Sequence, residues 1–338
     1  MSLSAVDRFL PAVFSGRRWA LPPTLRYVFG RILGALLVLL IGAFIVFLTM
    51  KAAPGDPSLS ALGEQAPPEA IAAFRLQHGL DQPVITQFAS WLGQIAHGDF
   101  GNSLVVASGR PISNLILSRL PTTAFVGLYA LTIAVLSSLV LGTVAAVWRG
   151  KMADMVATSI AVLGISMPDF FLAYMLILGL ALGLGLFPSY GFVAPGDSLL
   201  GALHASFLPA LAIAAPMAAV FARTLRAALL EVIRQPYVTT ARSFGLSRAF
   251  TFLHFIFRNA LIPYVTIVGL QVRYVLGGVV VIERIFGIPG IGSLMVDAAF
   301  GRDYPLVQAC MVTFLAIVLL VNLLVDIACT GLDPRRSR

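Results

Sequence analysis

The protein has 338 residues, of which 59% are hydrophobic and 11% are charged, and its mean hydropathy is +0.93. Soluble domains carry about 25% charged residues, so this composition excludes an ordinary soluble domain and indicates an integral membrane protein. The net charge of +8 comes from basic residues dispersed at the ends of apolar runs, a pattern that favours lipid contact and argues against nucleic-acid binding.

Six apolar stretches follow a short basic arm, residues 1–25. A helix needs about 20 apolar residues to cross the hydrocarbon layer of a membrane. We therefore predict an all-α protein with six transmembrane helices. Their approximate bounds are 30–50, 122–147, 155–187, 203–226, 259–282 and 304–326. Pro168 lies near the middle of the third stretch, which is therefore either one kinked helix or two short helices.

The distribution of basic residues favours one kinked third helix. With six spans and a cytoplasmic N-terminus, most of the 23 Lys and Arg residues fall on the cytoplasmic side. Two short helices would place the arginine-rich stretch 223–258 outside, against the positive-inside rule. We therefore predict that both termini are cytoplasmic and that residues 51–119 form the one sizeable extracytoplasmic segment.

No catalytic motif is complete in this chain. A P-loop needs G-x-x-x-x-G-K-[ST], but Ala145 and Met152 occupy the first Gly and the Ser/Thr positions around Gly150 and Lys151. The "GDSL" sequence at 196–199 resembles an esterase nucleophile block, yet no Asp-x-x-His sequence accompanies it. The four histidines lack metal-ligand spacing. We predict that the chain is not an enzyme and binds no cofactor and no metal.

The sequence "YVTTARSFGLSRAF", residues 237–250, is basic and rich in small residues although it lies between apolar stretches. We expect the fourth span to continue to about Arg234, where Pro236 interrupts it. Residues 238–244 then form a short helix that Gly245 ends, and Ser247 caps the helix that leads into the fifth span. A groove on another protein could hold such a helix. The alternative is a solvated loop lying on anionic lipid.

This loop resembles the cytoplasmic coupling loop of ABC-transporter permease subunits, which carries the motif E-A-A-x-x-x-G. It is more similar to the version in dipeptide and oligopeptide permeases, "Y-V-R-T-A-R-A-K-G-L". Thr239 and Phe244 replace the Arg and Lys of that version, so two charged contacts are missing. The resemblance assigns the following residues to the ATPase-coupling loop, within residues 227–258: Tyr237, Val238, Thr239, Thr240, Ala241, Arg242, Gly245 and Leu246.

Further motifs extend the resemblance over nearly the whole chain after residue 25. They include "VFLTMKAAPGDP", "VVVIERIFGIPGIGSLMVDA" and "RDYPLVQ". The resemblance implies that residues 26–338 are the transmembrane domain of a dipeptide, oligopeptide or nickel permease of a bacterial inner membrane. It also implies a second homologous permease, two ATPase subunits that use ATP and Mg, and a periplasmic or lipid-anchored substrate-binding protein.

We expect residues 51–119 and the 283–303 loop to receive the binding protein, because they are the only predicted extracytoplasmic segments large enough. Phe88 and Trp91 lie three residues apart on the amphipathic sequence "QPVITQFASWLGQIA". They either contact the membrane interface, as Trp often does, or dock the binding protein. Gln87 and Gln94 lie on the polar side of the same stretch.

Asp169 and Arg273 are the charges placed deepest in the predicted spans. At about 1.5 Å per residue, each lies about 21 Å from the inner end of its span. A charge at that depth is costly unless it is paired or hydrated. The two residues therefore either form an ion pair between spans or line the substrate pathway. A secondary transporter or channel without an ATPase remains the alternative function, although no inverted repeat supports it.

Overall fold

The computed structural model describes residues 23–52, 57–63, 65–77 and 79–332, and these residues form an all-helical protein, as predicted. α7 continues as the π-helix Ile177–Gly183, and α10 continues as the π-helix Phe252–Phe257. The α-helices of the described residues are α1 (Pro23–Ala52), α2 (Pro57–Leu62), α3 (Pro68–Gln77), α4 (Val84–Ala96), α5 (Ile112–Val147), α6 (Met152–Ser166), α7 (Asp169–Leu176), α8 (Leu199–Val232), α9 (Pro236–Ser243), α10 (Arg248–Thr251), α11 (Arg258–Phe286), α12 (Ile291–Phe300) and α13 (Tyr304–Leu332).

The described residues contain five helices that are long and apolar enough to cross a membrane. Two bent helix pairs raise the number of candidate spans to as many as seven, a range that includes the six predicted spans. One pair is α6 and α7, which turn through 112°, and the other is the end of α11 and α12, which turn through 75°. The first bend falls at Met167, whose extended backbone is the conformation that the following proline favours. The expected kink at Pro168 is thus a complete break in the helix.

α8 is the central helix of the bundle. In its most apolar 18-residue window, 72% of the residues are buried, whereas the corresponding value is 11% in α1 and in α13. Small residues let the neighbouring helices approach its backbone closely. A Cβ atom at Gly142 of α5 would lie 2.8 Å from the Ala222 carbonyl oxygen, and one at Gly164 of α6 would lie 2.9 Å from that of Ala215.

Polar contacts fix the helices around α8. Arg226 of α8 donates two hydrogen bonds of 2.9 Å to the carboxylate of Asp154, at the start of α6. The backbone N–H of Gly150 donates to the same carboxylate at 2.9 Å. The hydroxyls of Ser138 in α5 and Tyr264 in α11 lie 2.8 Å apart. These bonds fix α6 to the central helix and α5 to α11.

α1 and α13 pack against each other, and an ion pair of 3.1 Å joins Arg31 to Asp326. A second core cluster links the start of α5 to α12 and α13, with Ile112, Leu306 and Cys310 fully buried in it. The start of α5 therefore lies at the same end of the bundle as the start of α13. Residues 1–22, most of the predicted basic arm, lie outside the described residues.

Candidate functional site

The predicted short helix between the fourth and fifth long helices is present as α9. It begins at Pro236 rather than at residue 238, because proline is tolerated in the first helical turn, where its missing N–H is not needed. Gly245 follows the helix with φ +75°, a backbone conformation that glycine adopts without steric cost. The Ser247 hydroxyl accepts a hydrogen bond of 3.3 Å from the Phe250 N–H, so the predicted cap is confirmed.

α9 has one buried and one exposed face. Val238 is 0% exposed and Ala241 is 5% exposed, and Val238 belongs to the main core cluster, which also includes Leu229 of α8 and Ile256. The opposite face carries exposed polar residues, and the Phe244 side chain beyond it is 81% exposed. Ala241 therefore faces the protein's own core, and the exposed side of α9 is the one that a partner's groove could approach.

Two exposed hydroxyls of α9 bond within the helix. Thr240 donates to the Pro236 carbonyl at 3.2 Å, and Ser243 donates to the Thr239 carbonyl at 3.1 Å. The outward face is therefore compact and small, apart from the Arg242 side chain. Together with Arg234 and Phe244, this face lines an open concavity of about 660 Å³.

Tyr237 connects α9 to the next long helix. Its hydroxyl accepts a hydrogen bond of 3.2 Å from the Asn259 side-chain amide, at the start of α11. Leu246, in the turn after α9, is 38% exposed. α9 is thus attached to α8 through its preceding turn and to α11 through Tyr237.

The two predicted intramembrane charges are only partly described. Asp169 is the first residue of α7, directly after the break between α6 and α7. Its Oδ2 lies 3.0 Å from the position that a Cβ atom at Gly278 of α11 would occupy. Arg273 lies in α11, five residues before Gly278, which corresponds to about 7.5 Å along the helix. The Arg273 side chain lies outside the described residues, so the proposed pairing stays a prediction.

Sequence reasoning missed a buried carboxylate in the motif "ERIFGIPGIG". Glu283 is 0% exposed and accepts hydrogen bonds from the Thr123 hydroxyl at 2.6 Å and from the Ser293 N–H at 3.0 Å. Thr123 in turn accepts a hydrogen bond of 2.9 Å from the Ile291 N–H. Glu283 thereby joins the turn between α11 and α12 to α5. The glycines that crowd its carboxylate, Gly290 among them, were the available signal.

A second buried carboxylate explains the motif "RDYP". Asp303 is 0% exposed, and its Oδ2 accepts a hydrogen bond of 2.5 Å from the Ser103 hydroxyl. The same oxygen accepts backbone N–H bonds of 3.0 to 3.1 Å from Leu104, Val105 and Val106. Asp303 therefore fixes the turn at 103–106 on the start of α13. An Asp immediately before Tyr-Pro at a helix start was a recognisable capping signal.

Phe88 and Trp91 pack against α1 and stay partly exposed, so contact with the membrane interface and docking of the binding protein both stay predictions. The Phe88 ring lies 5.0 Å from that of Phe44 and 5.5 Å from that of Phe47 in α1, and Trp91 lies 5.7 Å from Phe47. Gln87 is also part of an internal contact, because its side-chain carbonyl accepts a hydrogen bond of 2.5 Å from the Lys51 ammonium. Gln94 is exposed and remains the usable probe position on α4.

The architecture defines a class of protein: a helical membrane protein in which a short helix, α9, lies between the long helices α8 and α11. A solved structure with this fold is an amino acid ABC transporter crystallised with histidines. It has a TM-score of 0.52, is 18% identical in sequence, and covers 65% of this chain and 94% of its own. At that identity the likeness concerns the fold alone.

The family follows from sequence comparison. A model described as "Binding-protein-dependent transport system inner membrane component" matches residues 138–338, and the model of the corresponding N-terminal region matches residues 24–127. This chain belongs to that family of permeases. It is therefore an inner-membrane permease subunit and not itself an enzyme. Family membership also removes a self-sufficient secondary transporter or channel from consideration, and it implies a binding protein and an ATPase as partners.

Two relatives cover almost the whole chain. A putative peptide transport system permease protein from Brucella suis is 40% identical over 305 residues, which is 90% of this chain and 96% of the relative. The glutathione transport system permease protein GsiC from Salmonella typhimurium is 39% identical over 310 residues, which is 92% of this chain and 98% of the relative.

Proposed function

We propose that this chain is one of two homologous permease subunits of an ATP-driven importer. The complex would contain two ATPase subunits and a periplasmic or lipid-anchored binding protein. Both termini and α9 would lie on the cytoplasmic side, and residues 51–119 would lie outside.

The arrangement of α9 carries this proposal. A short helix with an exposed, compact face can enter a groove of the ATPase. Its buried face, Val238 and Ala241, transmits the movement because these side chains are held in the core beside α8. ATPase closure would then displace α9, α8 and α11 together as packed elements. The residues assigned to the coupling loop by resemblance therefore have two roles. Val238 and Ala241 anchor α9 in the core, and the exposed residues of the loop would contact the ATPase.

The cargo that we propose is a peptide or a glutathione-like small peptide. The names of the Brucella and Salmonella relatives support this class. Asp169 offers a carboxylate at the break between α6 and α7, beside Gly278. We propose that Asp169 and Arg273 line the substrate pathway and meet the charged termini of the cargo.

The coupling role is tested at Gly245, which has open space within 4 Å of its Cβ position. Gly245→Trp adds bulk where the ATPase must approach, and Gly245→Ala is the matched control. Both variants carry the same strain of a left-handed backbone, about 1 to 2 kcal/mol, but only the tryptophan adds bulk. We expect both to insert and only the tryptophan variant to lose transport and stimulated ATPase activity. Equal transport by both would contradict the assignment.

The pathway role is tested by reversing the charges. If Asp169 and Arg273 meet the cargo, Asp169→Arg and Arg273→Asp insert stably and change which peptides are transported. A double variant that restores insertion and transport of the original cargo, after each single variant abolished them, would show a structural pair instead. If Asp169→Asn and Arg273→Gln both transport at the wild-type rate, neither charge serves transport.

A further inference from the structure

A cavity of about 620 Å³ lies where α1 ends and α13 begins, away from the core around α8. One wall is apolar and includes Phe47, Met50 and Leu80. The rim carries two basic side chains, Lys51 and Arg75, and one carboxylate, Asp81. Two cations and one anion above an apolar wall form an amphipathic site that the transport proposal does not use.

The charged rim is held in place by a hydrogen-bond network. The Lys51 ammonium donates to the side-chain carbonyl of Gln87, and the Gln87 amide N–H groups donate to the Leu80 carbonyl at 2.9 Å and to the Gln82 carbonyl at 2.6 Å. Gln87 therefore fixes both the lysine and the turn that carries Asp81. The lysine ammonium has three N–H donors, and among the described residues Gln87 accepts from one of them.

The cavity is also lined by a polar group without a partner. Gln308 of α13 is 8% exposed, and among the described residues its Nε2 has no hydrogen-bond partner. Buried amides normally find a partner, and such an exception calls for a ligand or water. The Nε2 atom is covered in this conformation, but rotation about the last side-chain bond, a soft two-fold torsion, turns the amide towards the cavity.

The surroundings indicate a lipid. α1 is apolar and largely exposed along its length, and only 11% of its most apolar 18-residue window is buried, which suits contact with acyl chains. Lys51 lies at the end of this helix, at the level where cationic side chains reach the polar headgroups. Trp91 packs beside Phe47 at the same end, as aromatic residues do at a membrane interface.

We propose that this cavity binds the phosphodiester headgroup of one membrane phospholipid. Lys51 and Arg75 bind the phosphate, the Gln308 amide donates to one of its oxygens, and the first part of an acyl chain lies on Phe47 and Met50. Asp81 accepts a hydrogen bond from the ammonium or hydroxyl group of the headgroup. The site tethers α4, α1 and α13 to the bilayer, and it stands independently of the cargo and of the coupling helix.

The test uses the full-length protein purified in its complex, with native mass spectrometry to count retained phospholipids. The variants are Lys51→Gln and Gln308→Leu. Lys151→Gln is the matched control, because Lys151 is also exposed and follows α5, at the other end of the bundle. Thermal unfolding of delipidated samples, titrated with phosphatidylethanolamine or phosphatidylglycerol vesicles, measures the apparent affinity.

We expect the wild-type protein and Lys151→Gln to retain one more phospholipid than the other two variants. Removing a charge-assisted hydrogen bond should raise the lipid concentration for half-maximal stabilisation about tenfold. Without lipid, Gln308→Leu should unfold at or above the wild-type temperature, because it removes a buried unpaired donor. That result separates the loss of a ligand contact from a folding defect.

Three outcomes would overturn the proposal. The first is equal lipid retention and equal lipid-induced stabilisation in all four proteins. The second is stabilisation by inorganic phosphate alone, with the same dependence on Lys51 and Gln308 and no retained lipid, which would make the site one for a free anion. The third is displacement of the retained lipid by a transported peptide, which would place the cavity on the cargo route.

Discussion

Truncating the buried anchor of α9 should loosen the helix without unfolding the protein. Val238→Ala removes two methyl groups from a side chain that is 0% exposed. The lost transfer free energy is about 0.8 kcal/mol per group, and the cavity left behind raises the cost to about 2 kcal/mol. Because 1.4 kcal/mol corresponds to a factor of ten, the undocked state of α9 should become about 30 times more populated.

Thiol labelling measures that population directly. A cysteine at Ala241, which is 5% exposed, reacts only when α9 separates from the core. We expect Val238→Ala to accelerate labelling about 30-fold when undocking equilibrates faster than the reaction. Cys310 is buried, and replacement of Cys329 by serine removes the other native thiol.

Val147→Ala supplies the matched control, because Val147 ends α5 and is 49% exposed. It should leave labelling and transport unchanged. We also expect Val238→Ala to lower transport more than the basal ATPase activity of the complex, because a loosened helix transmits less of the ATPase movement. Labelling at the wild-type rate would refute the reasoning that Val238 anchors α9.

The remaining predictions concern packing, capping and the outer surface. Gly142→Ala should destabilise the protein by about 1 to 3 kcal/mol in thermal unfolding, since its Cβ would lie 2.8 Å from a backbone oxygen of α8; Gly34→Ala, in open space, should be neutral. Asp303→Ala should lower the free energy of unfolding by about 3 kcal/mol or more, since it leaves three backbone N–H groups unpaired. Asp303→Asn should lower it less, and melting temperatures equal to that of the wild type would contradict this. Gln94→Cys should crosslink to the binding protein, and crosslinks confined to the 283–303 loop would argue against α4.

The coupling region was predictable because its signals are local. Pro236, Gly245 and Ser247 act through their own backbone geometry or through neighbours within a few residues, so the sequence order contains the needed information. In this region, the end of α8 and both ends of α9 lie within one or two residues of their predicted positions. Five of the six predicted spans correspond to long helices, since hydropathy is a property of a contiguous stretch, whereas the predicted third span is the bent pair α6 and α7.

The orientation of side chains was less predictable because it depends on distant partners. Ala241 and Thr240 are adjacent and both small, yet only Ala241 faces the core. Phe88 packs on Phe44, a residue of another helix, and neither position alone indicates that contact. The bend between α6 and α7 is likewise larger than a proline alone dictates, since α7 is held against α8 and α11.

Buried carboxylates were missed because charge in a predicted loop suggests exposure. Glu283 and Asp303 are both 0% exposed, and each is compensated by hydrogen bonds from segments far away in the sequence. Ser103, for example, lies 200 residues from Asp303. Such pairs become visible only when the fold brings the donors together.

Crosslinking from the exposed face of α9 tests the central claim most directly. Single cysteines at Thr240 and Phe244, both exposed, should form crosslinks to the ATPase subunit in the purified complex. Phe244→Cys should react readily, because the side chain that it replaces is 81% exposed. A cysteine at Lys151, in the other short turn between helices at that end of the bundle, should react more slowly. Failure of both α9 positions to crosslink in an intact, transport-competent complex would contradict the assignment of α9 as the coupling helix.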